Sequence, residues 1–413
     1  MLKQIVFVVM LVISGVTIAQ NATTSPYSFF GAGELKFKGT AENRAMGGLT
    51  IYSDSIHLNL HNPAGVANLK LVNFTSGGSY KYVTQKTETN TEYATSTTLD
   101  YIAIGIPMGK FGASFGVLPL TAIGYKLESE TDDYITQYTG TGGLNKVFLA
   151  FGYQVTPKFN LGIDANYNFG NAERKTIITE TELLLGTREF IKSDLLGFNF
   201  TFGAEYRTMV SEELQLTTAT TYSPATNFKI KGYREITSIL ISSSGAIVPI
   251  DTREENLENV EVTFPSQITI GAGIGAPKKW FLGAQYTNYK TSNFNDPTLN
   301  YEIVEFTDAN KFRLGGFFIP RYASLTNYWH RVVYRMGARY EENGLNINGE
   351  EINEYGISFG VGLPIGRLFS NINVGFELGS RGTTSSGLVK ENFFNTFISL
   401  SLNDKWFEKR YID

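Results

Sequence analysis

No cysteine occurs among the 413 residues. Disulfide stapling, thiolate metal sites and lipid attachment at an N-terminal Cys are therefore excluded. Histidine is limited to His57, His61 and His330, and none neighbours a Gly-x-Ser-x-Gly nucleophile motif. No nucleophile–base–acid set emerges, and the chain reads as a non-enzyme. Beyond the N-terminus, no run approaches the about twenty apolar residues that a spanning helix needs. Lys+Arg 35 against Asp+Glu 39 leaves no basic excess for nucleic acid. His57 and His61 stand four apart, but no acidic residue joins them in a zinc-enzyme spacing, so no metal and no cofactor is expected. They read as polar residues of a plug. Gly271-Ala272-Gly273-Ile274-Gly275 lacks the full phosphate-loop spacing and reads as a strand with inward glycines.

What is abundant is glycine and aromatics, with Gly 42, Tyr 23 and Phe 30. That mixture suits strands facing lipid on one side and a crowded interior on the other. The periodicity is two. Phe159, Leu161, Ile163, Ala165, Tyr167 and Phe169 alternate with Asn160, Gly162, Asp164, Asn166, Asn168 and Gly170. Helical spacing would mix the two sets, so the segment is a strand with one apolar face. Val147 to Val155, Leu196 to Tyr206, Tyr355 to Leu363, Ile372 to Leu378 and Phe394 to Leu402 repeat the pattern.

Short connections at Met108-Gly109-Lys110, Thr156-Pro157-Lys158, Val210-Ser211-Glu212, Ala276-Pro277-Lys278 and Pro364-Ile365-Gly366 alternate with longer polar ones. The longer stretches are 127–143, 172–190, 233–260, 292–308 and 381–391. Short turns on one side and long loops on the other are the pattern of a bacterial membrane barrel. The chain is read as all-β: a transmembrane antiparallel β-barrel of about fourteen strands, the even number such barrels require. Residues 319–327 form a connection too long for a periplasmic turn. Ile239-Leu240-Ile241 and Ile247 to Ile250 are more apolar than a solvated loop needs, as a lid or a partner contact.

At the N-terminus, Lys3, the apolar run Ile5 to Val16 and Thr17-Ile18-Ala19 fit a cleaved export signal over 1–19, with an uncleaved anchor as the alternative. Residues 20–68 do not alternate and read as an N-terminal segment and lumenal hatch. The barrel follows over 69–403, and a charged periplasmic tail over 404–413. The expected location is a Gram-negative outer membrane, crossed many times, with its lipid as a partner.

The hatch segment carries Arg44-Ala45-Met46-Gly47-Gly48 and then Asn62-Pro63-Ala64-Gly65 directly before the first strand. This order resembles the FadL-type outer-membrane transporters of hydrophobic compounds, a family with a fourteen-stranded barrel and a small N-terminal hatch. The resemblance spans essentially the whole mature chain, although the strands align by pattern only. It marks Arg44, Gly47, Gly48, Asn62, Pro63 and Ala64 as hatch residues. It also gives a meaning to Leu118-Pro119-Leu120 in the third strand. Proline cannot donate to a sheet ladder, and the resemblance implies an inward kink there that opens a lateral gate. The alternative is a strand that ends near Leu118.

Two lumen-side sets follow from strand parity. Lys311, Arg313, Arg331, Arg335 and Arg339 form a basic stripe, either an anion site or an ion-pair network with Glu354 and Glu377. Phe148, Phe281, Phe393 and Phe397 are apolar exceptions on a polar face, hence ligand candidates. The expected function is passive uptake of hydrophobic, fatty-acid-like small molecules through hatch and lateral opening. The alternative is a non-transporting barrel of the same shape, an accessory or scaffold subunit associated with other envelope proteins in secretion or protein assembly.

Overall fold

The computed structural model describes residues 22–180, 185–242, 246–295, 304–365 and 370–406. The expected export signal, Gly366, Phe407 and the rest of the charged tail lie outside the described residues, as do parts of the stretches 172–190, 233–260 and 292–308.

Fourteen antiparallel strands close on themselves. They are β1 Val72–Lys86, β2 Thr91–Met108, β3 Phe111–Pro119 continued by Thr121–Glu130, β4 Tyr134–Thr156, β5 Phe159–Glu180, β6 Leu185–Met209 and β7 Gln215–Ser223 continued by Thr226–Ile241. Then come β8 Ile247–Phe264 continued by Gln267–Ala276, β9 Trp280–Tyr289, β10 Val304–Phe306 continued by Ala309–Phe318, β11 Val333–Ile347, β12 Glu350–Ile365, β13 Ser370–Arg381 and β14 Lys390–Asp404. The last strand pairs with the first, from Lys390↔Lys86 to Asp404↔Val72, so the main wall leaves no open edge at that seam. Neither end of the barrel needs a partner strand there.

The alternation in the sequence becomes the two sides of this wall. Val147, Leu149, Phe151, Tyr153 and Val155 all point outward and are exposed, as are Leu161, Ile163, Phe198, Phe200 and Phe202. Their neighbours Asn160, Asp164, Asn166, Asn168, Thr201 and Glu205 are buried inward. An exposed apolar band outside and buried polar groups inside is the reverse of a soluble core and matches a lipid solvent.

Long strands take up most of the expected polar connections 127–143, 172–190 and 233–260, whereas residues 382–389 remain a connection between β13 and β14. Only residues 131–133 separate β3 from β4, and only Asn348 and Gly349 separate β11 from β12. β6 runs for 25 residues. At roughly 3.3 Å per residue and a tilt near 40°, that is on the order of 60 Å of height, well beyond the about 25 Å apolar band. The outer ends of β3 to β8 therefore rise as hairpins above the lipid. The connection after β10 also differs: β11 begins at Val333, and the preceding residues Tyr328–Arg331 form a 3-10 turn. Arg331 thus leaves the lumenal stripe, and its guanidinium stacks over Tyr328 at 5.4 Å.

Inside the barrel lies the N-terminal segment, with a 3-10 turn at Pro26–Phe29, a two-residue strand Glu34–Leu35, a single helical turn Ala41–Arg44 and a 3-10 helix Pro63–Asn68. Much of the apolar core is the contact between this plug and the wall. Leu58, Leu60, Val66 and Leu69 pack on Tyr101, Leu118 and Phe148. Met46, Leu49 and Ile51 pack on Phe281, and Ala41 and Ala45 pack on Phe397.

Candidate functional site

The floor of the lumen is set by the Asn-Pro-Ala turn. Asn62 caps the helix Pro63–Asn68, its side chain accepting from the Ala64 amide at 3.0 Å, and proline suits the first helical position because its missing N–H would be unpaired anyway. The turn presses on the wall where β5 and β6 carry glycine. A Cβ on Gly203 would stand 2.2 Å from Asn62 Oδ1, and one on Gly162 would stand 2.3 Å from the Pro63 carbonyl carbon. Asn59 organises the approach, its amide nitrogen donating to the Thr50 carbonyl at 2.7 Å and its oxygen accepting from the His61 and Asn62 amides at 3.0 and 2.9 Å.

The second motif works differently. Gly47 and Gly48 hold φ of 68° and 82°, the left-handed region that favours glycine. The turn sends the Gly47 amide to the Ser358 hydroxyl at 2.8 Å and leaves the Gly48 carbonyl to accept from Arg313 at 3.1 Å. Arg44 bridges to two strands, meeting Asp100 at 3.4 Å and Glu377 at 3.3 Å. The expected hatch residues are thus brought together as one plug, bolted to β2, β5, β6, β10, β12 and β13.

The basic stripe is an ion-pair network. Glu341 takes Lys311 at 2.9 Å and Arg313 at 2.8 Å, while Arg339 pairs with Glu341 at 3.3 Å, Glu377 at 2.7 Å and Glu354. Arg335 donates to Asn373 at 3.0 Å. Lys311, Arg313 and Arg339 are thus each paired with a carboxylate.

The third strand breaks at Leu120 and resumes. β2 pairs with β3 only up to Ile102↔Val117, so above that level the two strands separate. The gap in the wall is occupied by the chain itself. Glu34–Leu35 pairs antiparallel with Ala122–Thr121, and the Lys36 amide donates to the Leu120 carbonyl at 3.0 Å. From the other flank, Thr98 donates to the Ala22 carbonyl at 3.3 Å and Gln85 to the Thr24 carbonyl at 2.7 Å. The Gly124 amide reaches Ser28 Oγ at 3.1 Å, and its missing Cβ leaves room for the Thr23 carbonyl. Glu34 then ties this segment into the lumen, pairing with Arg381 at 2.8 Å, Lys36 at 3.4 Å and Lys81 at 3.6 Å. Burial opposes its charge, but those three cations and the Thr23 hydroxyl hold the carboxyl well below its ordinary range.

Above the plug remains a cavity of about 360 Å³. Phe30, Phe37, Phe228, Phe264 and Phe294 give it apolar walls, and Phe393 also faces it, but Lys38, Lys81, Arg339, Glu354 and Arg381 share the lining. Of the four phenylalanines proposed for ligand contact, only Phe393 lines this space, with Lys81 4.8 Å over its ring. Phe148, Phe281 and Phe397 are buried against the plug.

His57 and His61 do not converge. His57 bonds Asp54 at 2.7 Å through Nδ1 and Asn371 at 2.9 Å through Nε2, while His61 sits between Thr269 and Thr221 at 3.3 and 3.4 Å. Burial works against charge on both. For His57 the Asp54 and Glu42 carboxylates outweigh it and raise the pKa, whereas nearby Lys38, Arg313 and Lys146 add to it and depress His61. Asp54, despite burial, is held down to about 2 by His57 and two backbone amides. Among the described residues no cluster of three metal-ligating side chains occurs.

Residues that the sequence did not single out carry much of this site. Glu34, Asn59, Lys81, Asp100 and Arg381 are the main ones, with Glu205, whose buried carboxylate accepts from Ser53 at 2.7 Å and Asn68 at 2.8 Å. Inward parity marks Glu205 and Arg381 in the sequence, but nothing local identifies their partners.

A family model described as BamG matches residues 1–413. No curated protein sequence gives a match. Among solved structures, the Pseudomonas putida toluene transporter TodX is similar with a TM-score of 0.61 at 15% identity, covering 90% of this chain and 100% of that one. The Ralstonia pickettii toluene transporter TbuX gives 0.60 at 14%, covering 89% and 99%. A Pseudomonas aeruginosa FadL homologue gives 0.58 at 10%, covering 93% and 99%. The fold expected from the hatch motifs, a FadL-type barrel, is the fold observed.

Proposed function

The chain belongs to the BamG family, and from that premise we propose that it is an outer-membrane barrel of FadL-type shape serving as a non-transporting accessory or scaffold subunit for other envelope proteins in secretion or protein assembly. The observation that carries this reading is the filled gap between β2 and β3. A lateral route for an apolar solute would run past Leu118, Pro119 and Leu120, where the chain's own residues 22–36 are hydrogen-bonded to both flanks. An apolar solute gains by leaving water, yet the path offered here is lined by interlocked charges whose separation without compensation is costly. The exposed apolar band of the same fold supports an outer-membrane location, since it needs lipid.

The second reading is passive uptake of hydrophobic compounds. It is favoured by the aromatic walls of the outer cavity and by the toluene transporters that share this fold.

Uptake of a labelled monoaromatic and of a labelled long-chain fatty acid, in a Gram-negative host with and without the protein, separates the two. The accessory reading expects equal rates. Facilitated uptake that Phe393→Arg abolishes would refute it and establish the channel.

A further inference from the structure

Among the described residues, the connection between β10 and β11, residues 319–332, stands out as too long for a periplasmic-side link. It is built, not slack. The Ile319 amide donates to the Lys279 carbonyl at 2.6 Å, the Arg321 amide to the His330 carbonyl at 2.8 Å and the Asn327 amide to the Ser324 hydroxyl at 3.2 Å. Asn327 caps the 3-10 turn through the Trp329 amide at 3.0 Å, and the Tyr328 hydroxyl donates to the Pro364 carbonyl at 3.2 Å. Ile319, Ser324 and Val332 are buried as its feet. What this frame holds outward is apolar, with Leu325 98% exposed and Trp329 64% exposed. A fixed loop that displays an uncovered Leu and Trp has a surface to meet.

Two observations say which. The first is charge: Arg321, His330 and Arg331 on the loop, with Lys278 and Lys279 on the adjoining turn, stand in a stretch that contains no Asp or Glu. Farther round the same rim the charge changes sign, since the turn after β6 carries Glu212 and Glu213. The second is continuity. The loop springs from Phe318 and returns through Tyr334, both on the exposed outer face of the wall, and the Tyr334 hydroxyl donates to the Trp329 carbonyl at 3.3 Å. Amphipathic aromatics beside cations at the end of a lipid-facing band suit the headgroup layer.

We propose that residues 319–332 form an interfacial anchor that inserts Leu325 and Trp329 into the periplasmic leaflet and binds anionic phospholipid headgroups with Arg321, Arg331, Lys278 and Lys279. The inference rests on the bilayer placement of the barrel and goes beyond the accessory reading, because it fixes the tilt and local lipid of one side of the wall.

The chain has 3 tryptophans, so Trp280→Phe with Trp406→Phe leaves Trp329 as the sole tryptophan, read by selective excitation at its red edge. The barrel is placed in nanodiscs of brominated phosphatidylglycerol or brominated phosphatidylcholine. The proposal expects strong quenching of Trp329, at least twofold greater in the anionic lipid, and loss of that difference in Arg321→Gln/Arg331→Gln. Trp329 unquenched and open to iodide in both lipids would overturn it. So would shielding of Trp329 from iodide only when soluble envelope proteins are added, which would assign the surface to a protein. A second probe, Phe200→Trp on the lipid face in a background free of other tryptophans, separates the failures: if it too is unquenched, the bilayer placement is wrong, and if it alone is quenched, only the anchor is.

Discussion

Glu34→Gln is the sharpest perturbation of the window. The substitution keeps size and hydrogen-bonding capacity but removes the one carboxylate that Arg381, Lys36 and Lys81 share within the plug. Glu34 is nearly buried, at 9% side-chain exposure, so solvent replaces little of what is lost. Removing one partner from a buried ion cluster costs about 3–5 kcal/mol. Arg381 keeps Glu354 and Glu391, which places the expected loss near the lower end, about 3 kcal/mol. Because roughly 1.4 kcal/mol is tenfold, the open population of residues 22–36 should rise by about two orders of magnitude. Hydrogen exchange of that segment in nanodiscs reads this directly. The wild type should reproduce the effect in acid. The Glu34 carboxyl is held below its unfolded value of about 4.3, so its contribution is full above that pH and is lost as pH falls through the folded value. The variant should lack this acid limb. Exchange within threefold of wild type, with the barrel intact, would refute the claim that Glu34 bolts the window.

Three other perturbations test the plug. Gly203→Val places a branched side chain where Asn62 Oδ1 already stands 2.2 Å from a Cβ, and overpacking of about 1–3 kcal/mol should raise exchange at residues 59–68 while leaving β1 to β14 protected. Phe397→Arg sets a second guanidinium where Arg44 stacks at 5.4 Å and Ala41 and Ala45 pack, so the helical turn should unfasten, read as faster exchange at 41–48. The Asp54–His57 pair gives a pH window. The raised His57 contributes fully below about 6.5 and is lost as pH rises through its folded value, while Asp54 contributes above about 3.9 and is lost as pH falls through about 2. Protection around 54–57 should peak between those limits, His57→Gln should flatten the alkaline limb, and an unchanged profile would contradict the assignment.

The lipid-facing wall was legible because a two-sided solvent writes a period of two. Phe198, Phe200 and Phe202 could hardly be anything but outward-facing. The same rule failed above the membrane. In 127–143 and 172–190 water bathes more of the surface, the alternation fades, and extended hairpins read as polar loops. It misled again at Arg331, where Tyr328, His330 and Val332 keep up an alternation through a 3-10 turn. The hatch motifs were legible through their resemblance to a family, and the structure gives the physical reason for those residues: positive φ at Gly47 and Gly48, and a helix start at Pro63. Parity also put Phe148, Phe281 and Phe397 inward, but not what they would touch, and the plug fills that place. The partners of Glu34, Glu205 and Arg381 are set by closure of the barrel, which no local pattern records.

The proposed role for this barrel is that of a closed subunit among other envelope proteins. Native mass spectrometry of the protein released gently from its own outer membrane tests it most directly. A closed subunit should appear in fixed stoichiometry with one or more defined envelope proteins and with a lumen free of bound apolar compounds. A barrel that arrives alone, carrying lipid-like or aromatic molecules lost on Phe393→Arg, would contradict it.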